Sequence, residues 1–216
     1  MLRAVFNASC FGLIALAAGC TVFPNPEPPR FMEMAMPEVP RQSAQRIPAS
    51  LRVDTPLASE PLNGSLILAK PSPREFRAYE GVRWRDTVPV VVRDALVGAI
   101  RQSDLYTGVI TDTNPARADL TLATELSGFH AESPESGPEV VIEVHLQMIH
   151  NRSRASLCND TVRVVEPASG SSIDEIVDAF GAAGGDLAAR VIEWARTCDY
   201  PSRLLLSPET DPPRQP

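Results

Sequence analysis

The chain has 216 residues, with 20 basic and 27 acidic side chains and a formal net charge of −7 with histidines neutral. An acidic chain whose arginines are scattered along its length repels phosphate, which argues against nucleic acid and against an anionic bilayer face as electrostatic partners. Its length accommodates one domain able to bury its own core, plus flanking segments.

Residues 1–19 carry one charge, Arg3, then an apolar run from Phe11 to Ala18 and the small residue Gly19 before Cys20. A basic start, a short apolar stretch and small residues at a cut describe a secretory signal, whereas a spanning helix needs about 20 apolar residues. The string LAAGC resembles a bacterial lipobox, in which the cysteine thiol receives diacylglycerol and the freed amine is acylated; Ala17 stands where Leu is usual. Cys20 is therefore the expected lipid-attachment residue. Two or more acyl chains hold a protein firmly, since each buried methylene contributes about 0.8 kcal/mol. Thr21 follows, not the Asp that favours inner-membrane retention in enteric bacteria, so the expected location is the outer membrane, facing the periplasm. Removal of the signal leaves 19 basic against 27 acidic side chains, a net charge of −8.

Residues 20–50 hold seven prolines, Pro24, Pro26, Pro28, Pro29, Pro37, Pro40 and Pro48, with no steady apolar period. Proline fixes φ and removes the amide donor, so the segment reads as a lipidated tether reaching about 90 Å at ~3.1 Å per residue. A spacer of no specific reach, or a segment packed along the domain through Phe31, Met32, Met34 and Met36, fits the composition equally. The folded domain is expected over residues 51–200, and the proline-rich tail 201–216 is expected to be loose.

Within the domain, Leu51 to Asp54, Ser65 to Ala69 and Glu75 to Arg83 read as short strands punctuated by prolines and an Asn63-Gly64 turn signal. A helix follows, capped by Asp86 or Thr87 with Pro89 in its first turn and an apolar face from Val88 to Ile100. Tyr106 to Thr111, Asp119 to Phe129 and Val140 to His150 are further strands. The last alternates plainly, with Val140, Ile142, Val144, Leu146 and Met148 on one face and Glu143, His145 and Gln147 on the other. In Ala155 to Val165 the alternation breaks around Cys158, which predicts a bulge or bend. Ser172-Ile-Asp-Glu175 is a capping box opening a helix to about Cys198, with Gly181, Gly184 and Gly185 inside it, tolerated for close packing on the sheet. The layout is α+β: two layers, a mainly antiparallel sheet packed by two helices.

Of four cysteines, Cys10 leaves with the signal and Cys20 is taken by lipid. Cys158 and Cys198 remain in an oxidising compartment, where a disulfide is expected, pinning the last helix to the sheet. His130, His145 and His150 lack metal-site spacing. The acidic pairs Asp174 with Glu175 and Glu132 with Glu135 read as capping and solvation. No nucleophile elbow or phosphate-binding loop is present in the sequence, so no catalytic residue, cofactor or metal is expected and the chain does not read as an enzyme.

From Leu51 to Cys198 the strings PLNGSLILAK, REFRAYEGVRWRDTVPVVVRDAL, ADLTLATELSGFHAE and IDEIVDAFGAAGGDLAARVIEWA, in that order behind a lipobox, resemble the auxiliary lipoproteins of ABC-type transport systems, the PqiC-like group that accompanies Mce-domain lipid-trafficking machinery. The family's early strand just after the lipidated cysteine is not recognisable here. The resemblance implies a non-enzymatic accessory role: docking onto a periplasmic Mce protein of an ABC transporter complex, as a homo-oligomeric ring in one form, so that lipids move between membranes. Two alternatives carry different expectations, a structural outer-membrane lipoprotein binding another envelope protein and a periplasmic enzyme.

Overall fold

The computed structural model describes residues 27–36 and 46–202. Cys20, the signal segment and the tail from residue 203 lie outside the described residues. The elements in chain order are β1 (Arg30–Met32), β2 (Ile47–Val53), β3 (Leu57–Ala58), β4 (Leu66–Ser72), β5 (Glu75–Trp84), α1 (Val88–Gln102), β6 (Tyr106–Thr111), β7 (Leu120–Glu132), β8 (Glu139–His150), β9 (Ala155–Pro167) and α2 (Ile173–Thr197). The α+β architecture expected from the pattern is the one observed.

The sheet is organised by β7. Along one edge β7 pairs antiparallel with β8 from Leu120↔His150 to Glu132↔Glu139, and β8 pairs antiparallel with β9. Along its other edge β7 takes three short strands in succession, all parallel to it: β2 at Leu120 to Leu122, β3 at Glu125 and Leu126, and β4 at Ala131. Beyond these, β6 lies parallel to β2, while β5 is antiparallel to β4 and parallel to β1. The long pairings are thus antiparallel, as the alternation predicts. The parallel ones join strands far apart in sequence, which no local pattern announces.

Both helices cover one face. α2 packs on β8 and β9, and α1 on α2 and β6. On that face Leu120, Leu122 and Leu126 of β7 meet Ile142, Val144, Leu146 and Met148 of β8 and Val162 and Val164 of β9, all buried. A register shift between Leu126 and Gly128 changes the phase of β7, so that Phe129 and Ala131 continue the core face. Gly128 suits the shift: a Cβ there would lie 3.1 Å from Glu143 Cβ. Phe129 stacks on Phe180 of α2 with centroids 4.6 Å apart, and Trp84, closing β5, meets both edge-on at 5.6 and 5.3 Å. α2 opens with the capping box read from sequence, Ser172 Oγ accepting from the Glu175 amide while the Glu175 carboxylate accepts from the Ser172 amide. The irregularity in β9 is also present, as a register shift between Met148 and Ile149 that leaves Leu157 unpaired.

Three differences from the sequence reading have physical causes. Strand β2 begins at Ile47, not Leu51, and admits Pro48 because the register with β6 shifts between Ile47 and Ser50, where no ladder amide is required. Strand β1 lies inside the proline-rich stretch, pairing Arg30↔Val82, Phe31↔Arg83 and Met32↔Trp84. Of the readings held open for residues 30–36, the structure therefore has the packed one: Met32 is followed by an arm whose Met34 and Met36 pack against the core cluster. Two of the glycines of α2, Gly181 and Gly184, answer to this arm and not to the sheet. A Cβ on Gly181 would overlap the carbonyl oxygen of Ala35, and one on Gly184 would lie 3.1 Å from Met34 Cε and Met36 Sδ.

Gly181→Ala is accordingly a test of the arm. The alanine gains up to about 1 kcal/mol of helix propensity, but a methyl forced against backbone costs about 1–3 kcal/mol. We expect net destabilisation of about 1 kcal/mol and faster amide exchange at residues 32–36, with exchange in β7 and β8 unchanged. Faster exchange throughout would assign Gly181 to the global core instead.

Candidate functional site

The sheet has two distinct ends. β4 runs parallel to β7, so the β4–β5 turn lies where β7 finishes, near the β7–β8 turn and the start of α2 after β9. β1 is parallel to β5, so the chain reaches Arg30 from this same end; Arg30 is also ion-paired with Asp174 in the first turn of α2, 2.6 Å apart. The opposite end carries the β6–β7 connection, the β8–β9 turn and the C-terminus of α2. We refer to them as the entry end and the far end.

Cys158 and Cys198 lie towards the far end. The structure joins them as a disulfide with Cα atoms 5.4 Å apart, Cys198 being the C-cap of α2 and Cys158 lying opposite Met148 in β9. Next to it Tyr200 donates its hydroxyl proton to the Ala195 carbonyl at 2.7 Å, which leaves the buried Tyr106 hydroxyl as donor to Tyr200 at 3.0 Å. Burial raises the pKa of both phenols above the ordinary value, that of Tyr106 strongly. Bond and hydroxyl pair together fasten the chain after α2 to β9 and β6.

A groove of about 980 Å³ opens at the far end, lined by Arg52 of β2, Arg117 to Asp119 before β7, His150 to Ser153 at the β8–β9 turn, and Pro201. Its walls are tied by hydrogen bonds. Asn151 donates from Nδ2 to the Ala118 carbonyl at 2.8 Å, accepts from Thr121 Oγ1 at 2.8 Å, and donates its amide to the Asp119 carbonyl at 2.9 Å. Asp119 accepts from the Ser50 amide at 2.9 Å and the Ser50 hydroxyl at 2.7 Å. The Ser50 amide hydrogen bond, above all, holds this carboxyl below the usual carboxylate range, with the Ser50 hydroxyl and the Arg152 guanidinium assisting. Arg52 is spent on the carbonyls of Asp112 and Ala116. Arg117 and Arg152 are exposed, and among the described residues neither has a carboxylate within 4 Å. Arginines far apart in sequence are here brought together by the fold, which the linear reading of scattered basic residues missed.

The histidines do not converge. His130 is buried on the sheet face away from the helices, under Phe76 of β5 with centroids 5.5 Å apart, and its Nε2 lies 2.9 Å from Glu132. His145 contacts Thr161, and His150 contacts Ser153. Among the described residues no group of three or more His, Cys, Asp or Glu side chains is placed to hold a metal ion, and no helix is long and apolar enough to cross a membrane. Three of the four paired acids have structural partners: Glu175 caps α2, Asp174 holds Arg30, and Glu132 holds His130.

Residues 33–192 match the family model of the ABC-type transport auxiliary lipoprotein component. The chain belongs to this family. The match begins inside the proline-rich stretch, at the arm that the structure packs on α2. Two solved structures share the fold. One is protein XCC0632 from Xanthomonas campestris, with a TM-score of 0.70 at 20% identity, covering 76% of this chain and 94% of that one. The other, an uncharacterized protein, has a TM-score of 0.61 at 18% identity, covering 78% and 99%. At these identities the likeness establishes the fold alone. No curated protein matches the sequence. The family is one of auxiliary lipoprotein components and not a known enzyme class.

Two measurements bear on these residues. Reduction of the mature chain is expected to add two daltons, for one bond between Cys158 and Cys198, and Cys198→Ser is expected to lower unfolding free energy by about 2–4 kcal/mol; an unchanged mass would show two thiols. Burial lowers the pKa of His130, so the folded state resists a proton that the unfolded chain accepts near pH 6.5. This contribution is fully present above the unfolded pKa and is lost as pH falls through and below it. Urea midpoints should therefore drop between pH 7 and 5, with a shallower drop in His130→Gln.

Proposed function

We propose that this lipoprotein is the membrane-anchored accessory subunit of an Mce-containing ABC-type envelope transport system, docking to a periplasmic Mce component so that lipids move between membranes. The observation that supports it is the family match over residues 33–192, the family being named for its place beside ABC-type transport. The lipobox at Cys20 supplies the anchor, and Thr21 after it favours the outer membrane with the domain in the periplasm. On this reading the domain contributes a recognition surface: Glu175 serves as a helix cap, Asp174 as the partner of Arg30 and Glu132 as the partner of His130, and ATP is hydrolysed by another subunit.

The test is purification from mildly crosslinked membranes of cells expressing the full chain together with the permease, ATPase and Mce subunits of such a transport system. The Mce protein should be recovered with the wild type, and mature protein should carry diacylglycerol on Cys20. Cys20→Ala should leave the outer-membrane fraction. Recovery with peptidoglycan or a porin-like barrel and no Mce protein would overturn the transport reading.

A further inference from the structure

The far-end groove is unusual for this chain. The protein is acidic overall, yet Arg52, Arg117 and Arg152 line one concavity together with His150, against the single carboxylate of Asp119. One oxygen of that carboxylate, Oδ2, accepts from both the Ser50 amide and the Ser50 hydroxyl, which holds Asp119 against β2, and two exposed guanidiniums outnumber it. Arg117 and Arg152, in contrast, project from loops whose backbone is fixed by Asn151, Asp119 and Ser50. Two guanidiniums on a braced frame lose less freedom on binding than two on loose loops, which favours recognition of carboxylates.

Position and size select the ligand. The chain enters the domain at the other end, through Arg30 beside Asp174, so a groove at the far end faces away from the membrane that holds the anchor. A volume of about 980 Å³ is at the top of the range for ligand pockets and exceeds what one phosphate or headgroup fills. We infer that this groove receives an acidic peptide segment of the partner subunit, its carboxylates paired with Arg117 and Arg152 and its backbone set against Asn151 and Ser153. The inference rests on the docking reading above and assigns that docking to a particular surface.

The experiment uses full-length lipidated protein in detergent, with Arg117→Glu/Arg152→Glu as the groove variant, Arg117→Gln/Arg152→Gln as a milder one, and Arg74→Glu/Arg83→Glu as a control of equal charge change on exposed β4–β5 positions. Arg52 is left intact because it braces the Asp112 and Ala116 carbonyls. Two readouts are taken: capture of the Mce protein, and titration with a fluorescent ten-residue poly-glutamate. Charge reversal in the groove should weaken both by about tenfold or more, the Gln pair should weaken them less, the control should leave both unchanged, and peptide binding should fall with added salt.

Failure of wild type to capture the Mce protein, with poly-glutamate still bound through Arg117 and Arg152, would sink the docking reading while keeping an acidic-peptide site. Equal capture by wild type and groove variant would keep docking and overturn its assignment to this groove. Competition by inorganic phosphate at matched ionic strength would replace the peptide with a phosphate ligand. Tighter poly-glutamate binding after deletion of residues 203–216 would name the chain's own tail as occupant, and likewise overturn the inference.

Discussion

The contact among Trp84, Phe129 and Phe180 is the constraint around which the rest is arranged. Each ring belongs to a different part of the sheet-and-helix sandwich: Trp84 ends β5, Phe129 follows the register shift in β7, and Phe180 sits in the second turn and a half of α2. The three rings lie within 4.6 to 5.6 Å of one another and are the three largest of the fully buried side chains, and aromatic pairs add about 0.5–1.5 kcal/mol beyond their burial. For the triangle to close, β7 must change phase at Gly128, since otherwise Phe129 would face the side of the sheet away from the helices. For Trp84 to reach it, β5 must absorb extra residues against β4, which it does around Gly81 at φ 68°. The same closure holds β1, because Met32 pairs with Trp84 and carries the arm across α2.

Much of this architecture is legible in the chain because its long elements have one wet face. β8 alternates cleanly, α1 and α2 show helical stripes, and the Ser172 to Glu175 box fixes where α2 starts. What was not legible has a common cause in distance. β3 is two residues long and β1 three, too short for any period, and both are held by partners remote in sequence. The glycines of α2 were read as a close approach to the sheet, but at Gly181 and Gly184 the approaching chain is residues 34–36. No local signal distinguishes the two. The groove is a stronger instance: Arg52, Arg117 and Arg152 are separated by 65 and 35 positions in the sequence, and only the pairing of β7 with both β2 and β8 sets them side by side.

Family membership and geometry bear on different questions. The family names a transport auxiliary lipoprotein component, and the fold shows which parts of this chain are braced. The disulfide and the Tyr106–Tyr200 hydroxyl pair keep the chain after α2 from loosening at the far end, beside the groove. Oxidising surroundings thereby become part of that end's rigidity.

The docked arm also sets how far the molecule ranges. Once Arg30 is fixed to β5 and Asp174, only residues 21–29 separate it from Cys20, and such a stretch spans at most about 35 Å in any conformation. An acyl anchor on that cysteine would therefore make the globule a short-leashed post standing on its bilayer, and a partner rooted elsewhere would have to bring its own length to meet it.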